Sequence, residues 1–141
     1  FAESDAVALD ELLKQKDSYF NELQKLYGQA PIYWHAAGYG ERVDRDPIKF
    51  EHFGISVVEA MASAAVPVVL NAGGPRELVI DGENGFLWSS TSNLRSRTWD
   101  LIKDSELRAA MATQAKETSD RFDASAFRSR LNELVTDLVG I

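Results

Sequence analysis

Two glutamates in the stretch EHFGISVVEAMA, residues 51–62, have the type and spacing to bind hydroxyl groups. Glu51 precedes a predicted turn, whereas Glu59 lies between Val58 and Ala60 in an otherwise apolar, helix-forming run. An unpaired carboxylate on an apolar helix face is costly, and vicinal hydroxyls of a ligand would offset that cost because a carboxylate accepts two O–H bonds at once. The structural alternative is that both side chains face solvent and Glu51 only favours the dipole of the following helix.

A helix start is predicted between the two glutamates, near Gly54 or Ile55. The first-turn amides of Gly54, Ile55 and Ser56 have no intrahelical acceptors, and with the helix dipole they form an anion site. Gly54 has no Cβ, so backbone can approach a ligand closely there. A nucleoside-diphosphate sugar fits this arrangement, with its sugar near Glu51, its diphosphate at the helix start and its ribose at Glu59.

The elements that must position this stretch alternate between helices and strands. Residues 4–27 are predicted as two helices, the second capped by Asp17 or Ser18, with Gly28 as a left-handed stop. Further helices are predicted at 55–65, at the PRELVI segment and from Ser92 onward. Three short apolar runs are predicted strands: IYW, VPVVL before the turn NAGG, and GFLW.

This alternation predicts an α/β fold, a Rossmann-like parallel sheet flanked by helices. A full doubly wound domain has about five or six strands, and the sequence offers three. Residues 1–141 are therefore expected to form a single, incomplete domain that begins within a larger one; the alternative is a strand hidden in residues 1–20.

Composition excludes several classes of function. The chain has 15 basic and 22 acidic residues and a net charge of −7, which argues against nucleic-acid binding because that depends on clustered Lys and Arg. Cysteine is absent, so disulfides, thiolate metal sites and cysteine nucleophiles are excluded, and a cytosolic setting fits. No apolar run approaches the roughly 18 residues that span a bilayer.

The sequence EHFGISVVEAMASAAVPVVLNAGGPRELVIDGENGFLW resembles the carboxyl-terminal domain of GT-B retaining glycosyltransferases of group 1, family 4. The Glu-x7-Glu signature, the following strand, the double glycine, the Pro-x-Glu and the Asp-Gly-x-Asn-Gly tail come in the family's order. The upstream segment YWHAAGYGE is similar to bacterial mannosyltransferases of polysaccharide biosynthesis. The close match covers roughly residues 18–90, so the chain is expected to be a nucleotide-sugar-binding domain.

The resemblance implies a role for each matching position. Glu59 resembles the glutamate that binds the nucleotide ribose, and Glu51 resembles the residue at the reaction centre that contacts hydroxyls of the donor sugar. Phe53, Gly54 and Ile55 match the segment whose backbone amides reach the sugar and the diphosphate. Such enzymes retain the anomeric configuration and need neither a cofactor nor a metal ion, and neither glutamate is then a general base.

Several neighbouring residues are secondary candidates. His35 and His52 lie near the predicted site and are candidate donor contacts, although a lone histidine is more often structural. Asp44 and Asp46 form a D-x-D pattern that suits Mg²⁺ or Mn²⁺, but the resemblance implies a metal-independent enzyme. Ala64 stands where the family commonly has glycine, which is interpreted as a packing change.

The expected partners follow from the resemblance. They are a nucleotide-sugar donor (GDP-mannose or a UDP-sugar), a glycan or lipid-linked acceptor, and an amino-terminal acceptor domain that is missing here, as is the family's basic pair. We therefore expect the isolated chain to be inactive. The full-length protein that contains it is expected to be cytoplasmic, with a peripheral position at the inner membrane face. The last helix carries an apolar stripe: Phe127, Leu131, Leu134 and Leu138. The stripe is expected either to dock onto its own domain or, if it is exposed because the partner domain is absent, to drive self-association.

Two other functions remain open from the sequence. The chain could be a non-catalytic nucleotide-binding or interaction module that keeps the scaffold without the chemistry. It could also belong to a related GT-B sugar synthase or phosphorylase. Binding of nucleotide sugars, and its dependence on Glu59, discriminates among these readings.

Overall fold

The computed structural model describes residues 3–140, with side chains described for residue 9 and residues 11–140. Helices and strands alternate along this part of the chain. The helices are α1 Glu3–Gln29, α2 Ile55–Ala62, α3 Pro75–Leu78, α4 Thr91–Lys103, α5 Ser105–Ser119 and α6 Ala124–Val139. The strands are β1 Ile32–His35, β2 Val66–Leu70 and β3 Phe86–Trp88, and 3-10 turns lie at Pro47–Lys49 and Asp120–Phe122.

The three strands form one parallel sheet in the order β1-β2-β3. Ile32 pairs with Val66, and Val68 pairs with Phe86. Every residue of the central strand β2 is buried, as its unbroken apolar sequence requires, because a parallel strand is covered on both faces. The predicted α/β fold, a Rossmann-like parallel sheet flanked by helices, is confirmed.

Helices cover both faces of the sheet. Successive side chains of β2 point to opposite faces, and because all of them are apolar, both faces must be buried. On one face Val68 packs with Trp88 of β3, Leu101 of α4 and Met111 of α5. On the other face Val69 packs in a second cluster with α2, α3 and α5. The buried members of that second cluster are Val57, Met61, Val69, Leu78, Val79 and Ala115.

The chain before β1 forms one helix, so the prediction of two helices over residues 4–27 is wrong. Helix α1 runs without a break through Asp17 and Ser18, the proposed caps, and through Gly28, whose φ is not positive. Nothing between the two predicted segments breaks a helix, since residues 13–16 are Leu, Lys, Gln and Lys, all good helix formers. The helix ends just before Pro31, and a proline disfavours the helical conformation of the residue before it.

Ala64 ends helix α2 in a backbone conformation that glycine usually adopts. Its φ is +61°, the only positive φ of a non-glycine residue in the described part of the chain. The Ala65 amide donates to the Ala60 carbonyl at 3.0 Å and the Ala64 amide to the Met61 carbonyl at 2.9 Å, which is the Schellman pattern. The interpretation of Ala64 as a packing change is therefore wrong: glycine would serve the backbone here.

Helix α6 follows a capped start but has an uncovered apolar face. The Asp123 carboxylate accepts from the Ala126 amide at 2.6 Å, and this bond is the main reason that the pKa of Asp123 is lowered. The apolar stripe predicted for this helix is exposed along its length: Phe127, Leu131, Leu134 and Leu138. Self-association through it stays a prediction.

Candidate functional site

The first turn of α2 carries backbone amides without partners. Gly54 is its N-cap residue, with φ +101°, and the Gly54 carbonyl accepts from the amides of Val57 at 2.9 Å and Val58 at 3.1 Å. For the amides of Ile55 and Ser56, residues 3–140 supply no hydrogen-bond acceptor. Glycine has no side chain that could cap them. The predicted helix start at Gly54 or Ile55 is therefore confirmed, and its amides are free to bind an anion.

Close backbone packing fixes the loop that leads into α2. The Gly74 amide donates to the Glu51 carbonyl at 2.8 Å. A Cβ on Gly74 would collide with the His52 carbonyl oxygen, and one on Gly54 would lie 3.3 Å from the Pro75 ring. The NAGG turn after β2 therefore packs directly against the backbone of the loop. Such a close approach is possible only where the residue has no side chain.

The Glu51 side chain lies between its own loop and the end of β1. Its Oε1 accepts from the Phe53 amide at 3.3 Å, and its Oε2 is 3.9 Å from His35 Nε2. The carboxylate stays partly open to solvent, with its side chain 37% exposed. Glu51 is thus oriented by the protein while part of it can still accept hydrogen bonds from a ligand.

His35 is the last residue of β1 and is only 8% exposed. Burial lowers the pKa of His35 below the ordinary 6.5, and the nearby Glu51 carboxylate opposes that effect in part. The His35 Nδ1 atom is buried, and residues 3–140 provide no hydrogen-bond partner for it. A neutral imidazole beside a carboxylate is the state this environment favours.

Glu59 lies one turn into α2 and contacts α1. The Tyr27 hydroxyl donates to Glu59 Oε2 at 3.4 Å, a long bond. Burial, followed by the proximity of Tyr33 and Glu59, raises the pKa of Tyr27 to about 12. The Tyr33 hydroxyl in turn donates to Ser56 Oγ at 2.9 Å. Glu59 is half-buried but keeps acceptor capacity beyond this one weak bond.

Glu59 also separates two clefts. A cleft of about 370 Å³ lies between α2 and the carboxyl-terminal helices, where Phe53 meets Phe122 edge-on with ring centroids 5.5 Å apart. Arg121 and Arg130 line the same cleft. A smaller cleft of about 190 Å³ lies on the other side, against α1. The Glu59 carboxylate is thus accessible from both sides of the helix.

The structure gathers most, but not all, of the predicted site residues. Glu51 and His35 meet at the carboxyl end of β1, and the start of α2 follows directly. Ile55 presents its amide while its side chain faces solvent, and the His52 side chain is exposed. Glu59 lies one turn further along α2, on the side of α1.

Sequence reasoning missed the residues that reach the site from distant parts of the chain. Tyr27 lies 32 positions before Glu59, and no local pattern links the two. Arg121 and Phe122 belong to the second 3-10 turn, and their approach to Phe53 follows only from the packing of α5 on α2.

The described part of the chain contains neither a candidate metal cluster nor a helix that could span a membrane. Asp44 of the D-x-D pattern is bound by Arg42 at 2.7 Å, and residues 3–140 contain no cluster of three potential metal-binding side chains. Within the same range no helix is long and apolar enough to cross a bilayer.

Known proteins show what this chain resembles. The family "Glycosyl transferases group 1" matches residues 10–118. A GDP-Man:Man(3)GlcNAc(2)-PP-Dol alpha-1,2-mannosyltransferase of Dictyostelium discoideum is 33% identical over 90 residues, 63% of this chain and 18% of that protein. The alpha-1,3/1,6-mannosyltransferase ALG2 of Mus musculus is 27% identical over 92% of this chain and 35% of that protein. The chain thus spans between a fifth and about a third of the length of these relatives.

A solved structure agrees in fold as well as sequence. The structure of Anabaena HepE in complex with UDP superposes with a TM-score of 0.65 and 28% identity, covering 79% of this chain and 29% of that chain.

Proposed function

Because the chain belongs to the glycosyl transferases group 1 family, we propose that it supplies the donor-binding part of a retaining hexosyltransferase. The donor is a nucleotide-diphosphate sugar, and the acceptor is a glycan or a lipid-linked glycan. One observation carries the proposal: the free amides at the start of α2 lie between two carboxylates with spare acceptor capacity, Glu51 and Glu59.

Each part of this arrangement suits one part of the donor. The amides of Ile55 and Ser56, at the positive end of the helix dipole, take the diphosphate. Glu51, held by the Phe53 amide, accepts hydrogen bonds from the sugar hydroxyls. Glu59, one turn further along, accepts them from the ribose. The distance between the two carboxylates is bridged by the diphosphate.

The proposed reaction is a sugar transfer with retention of configuration. The acceptor hydroxyl oxygen forms a bond to the anomeric carbon while the bond from that carbon to the diphosphate oxygen breaks. The departing diphosphate takes the acceptor proton on the face that it leaves, so configuration is retained and no side chain acts as a base. The chain contributes positioning and stabilisation of the negative charge on the leaving group. We propose that neither a cofactor nor a metal ion is needed.

GDP-mannose is the donor favoured by the relatives, two of which are named as mannosyltransferases and one of these as GDP-Man-dependent. A UDP-sugar is the second candidate, supported by the HepE structure, which contains UDP. A separate acceptor-binding domain would complete the enzyme, which we place in the cytoplasm and at the inner face of the membrane. Without that domain we expect residues 1–141 to bind donor weakly and to transfer no sugar.

Calorimetric titration of the protein that carries this sequence, with GDP-mannose and with UDP-glucose, tests the proposal. We expect Glu59→Ala to weaken binding by about 10- to 100-fold, the effect of losing hydrogen bonds to a charged group. The control is Glu83→Ala, which removes an exposed glutamate of the DGENG turn and should bind like wild type. The proposal fails if neither nucleotide sugar binds, or if Glu59→Ala binds as tightly as Glu83→Ala.

A further inference from the structure

His35 has features that the proposed binding of donor does not explain. It is buried at the carboxyl end of β1, where its backbone pairs in register with Val69 of the central strand. Its Nδ1 has no hydrogen-bond partner in the described part of the chain, whereas Nε2 lies 3.9 Å from Glu51 Oε2. A buried, polar side chain without full hydrogen bonding costs free energy. A protein tolerates this free-energy cost where the side chain has a functional role.

The position of His35 limits where the Glu51 carboxylate can lie. The Phe53 amide donates to Oε1 at 3.3 Å, a long bond that constrains the carboxylate only weakly. His35 Nε2 lies 3.9 Å from the other carboxylate oxygen, Oε2. Because His35 belongs to a sheet strand and Glu51 to a loop, the ring is the fixed member of the pair and the carboxylate is the mobile one.

We propose that His35 is a positioning residue: in its neutral form it holds the Glu51 carboxylate toward the hydroxyls of the donor sugar. This inference rests on the proposed function, since Glu51 must be a donor contact for its orientation to matter. His35 itself touches no donor atom in this proposal. Its effect on the reaction passes through Glu51.

The charge state of His35 decides whether Glu51 is available. Among residues 3–140, Glu51 is the one charged group within reach of the ring, and β2 presents the apolar Val69 beside it. A protonated His35 would form an ion pair with Oε2, withdrawing that oxygen from the ligand. Because burial keeps the pKa of His35 below 6.5, the ring is neutral at pH 7 and does not withdraw Oε2 from a ligand as a cation would.

The test measures donor affinity against pH between 5 and 8 for wild type, His35→Gln and His35→Leu, with GDP-mannose and UDP-glucose as probes. Wild-type affinity should fall by up to about tenfold per pH unit below the His35 pKa. Both variants should lose this dependence. At pH 8, His35→Leu should bind about tenfold more weakly than wild type, and His35→Gln, which keeps a polar N–H, should bind more tightly than His35→Leu. Glu83→Gln, at the exposed glutamate of the DGENG turn, is the control and should keep the wild-type profile.

A second measurement needs no ligand. In an NMR titration, Glu51→Gln should lower the pKa of His35 further, because the Glu51 charge raises it and burial would then act alone. An unchanged His35 pKa in that variant would overturn the contact on which the inference depends.

The outcomes separate the two proposals. If donor binds and His35→Gln shows the wild-type pH profile, His35 does not position Glu51, although the donor site stands. If wild type binds neither probe at any pH, the proposed function fails and the inference falls with it.

Discussion

Replacing Gly74 by alanine tests how the loop that carries Glu51 is held. Gly74 has φ −65° and ψ −36°, ordinary helical values that alanine adopts without strain, so the added methyl group acts through space alone. That methyl would collide with the His52 carbonyl oxygen and stand 2.8 Å from the Phe53 Cα. Both obstacles are backbone atoms, which cannot rotate away as a side chain would.

The expected cost follows from this geometry. A carbon–carbon contact needs about 3.5–4.0 Å, so the two segments must separate by roughly 1 Å, and the 2.8 Å hydrogen bond from the Gly74 amide to the Glu51 carbonyl would lengthen with them. Overpacking of this kind costs about 1–3 kcal/mol, and the loss of the hydrogen bond adds about 1 kcal/mol. We expect Gly74→Ala to lower the free energy of unfolding by about 2–4 kcal/mol. If the proposed function holds, a shift of about 1 Å at the site should also slow sugar transfer by the protein that carries this sequence about a hundredfold.

Urea unfolding, followed by circular dichroism, measures the first effect. The rate of the proposed transfer by the protein that carries this sequence measures the second. Gly28→Ala is the matched control, because the same methyl group there meets nothing within 4 Å. Since Gly28 lies in α1, alanine should stabilise that helix by about 0.5–1 kcal/mol. If Gly74→Ala unfolds at the same urea concentration as wild type and transfers sugar at the same rate, the close packing of the two segments is refuted.

Three further predictions test other contacts. Ala64→Gly should raise the free energy of unfolding by about 0.5–1 kcal/mol in urea, because a left-handed alanine costs about 1–2 kcal/mol and the greater freedom of unfolded glycine offsets part of the gain; an equal or lower stability would contradict this. Asn84→Ala should cost about 2–4 kcal/mol in the same assay, since Asn84 is 1% exposed and bonds to Ile80, Leu78 and Thr118. Tyrosine absorbance should show Tyr27 ionising at about pH 12, so that the stabilisation from its neutral hydroxyl is complete below pH 10 and lost as the pH rises through 12. Glu59→Gln should lower the pKa of Tyr27 only part of the way toward its ordinary value, because burial is the larger cause of the shift. An unchanged pKa of Tyr27 would show that the Tyr27 and Glu59 side chains do not meet.

The parts of the fold that follow local rules could be predicted from the sequence. The unbroken apolar run of β2 predicts a strand covered on both faces, and Pro75 predicts the start of α3, as the structure has them. The start of α2 was predictable because Gly54 precedes an apolar, helix-forming run. These features depend on neighbours in the chain, which a sequence displays directly.

Other features depend on contacts between distant residues and could not be predicted. A capping residue such as Asp17 starts a helix only where the preceding chain leaves it, and here good helix formers continue through it. The bond between Tyr27 and Glu59 and the approach of Arg121 to the site require the packing of whole helices. The backbone conformation of Ala64 was hidden for another reason, since its residue type gives no sign of a positive φ.

The openness of the site has a backbone cause. A serine or aspartate at the N-cap would bond the amides of α2, but such a residue adopts an extended conformation there, whereas Gly54 has φ +101°. Its missing Cβ also leaves room for the Pro75 ring. The Glu51 carboxylate accepts from the Phe53 amide instead. The chain thus lacks a cap worth about 1 kcal/mol, and among residues 3–140 the amides of Ile55 and Ser56 have no hydrogen-bond partner.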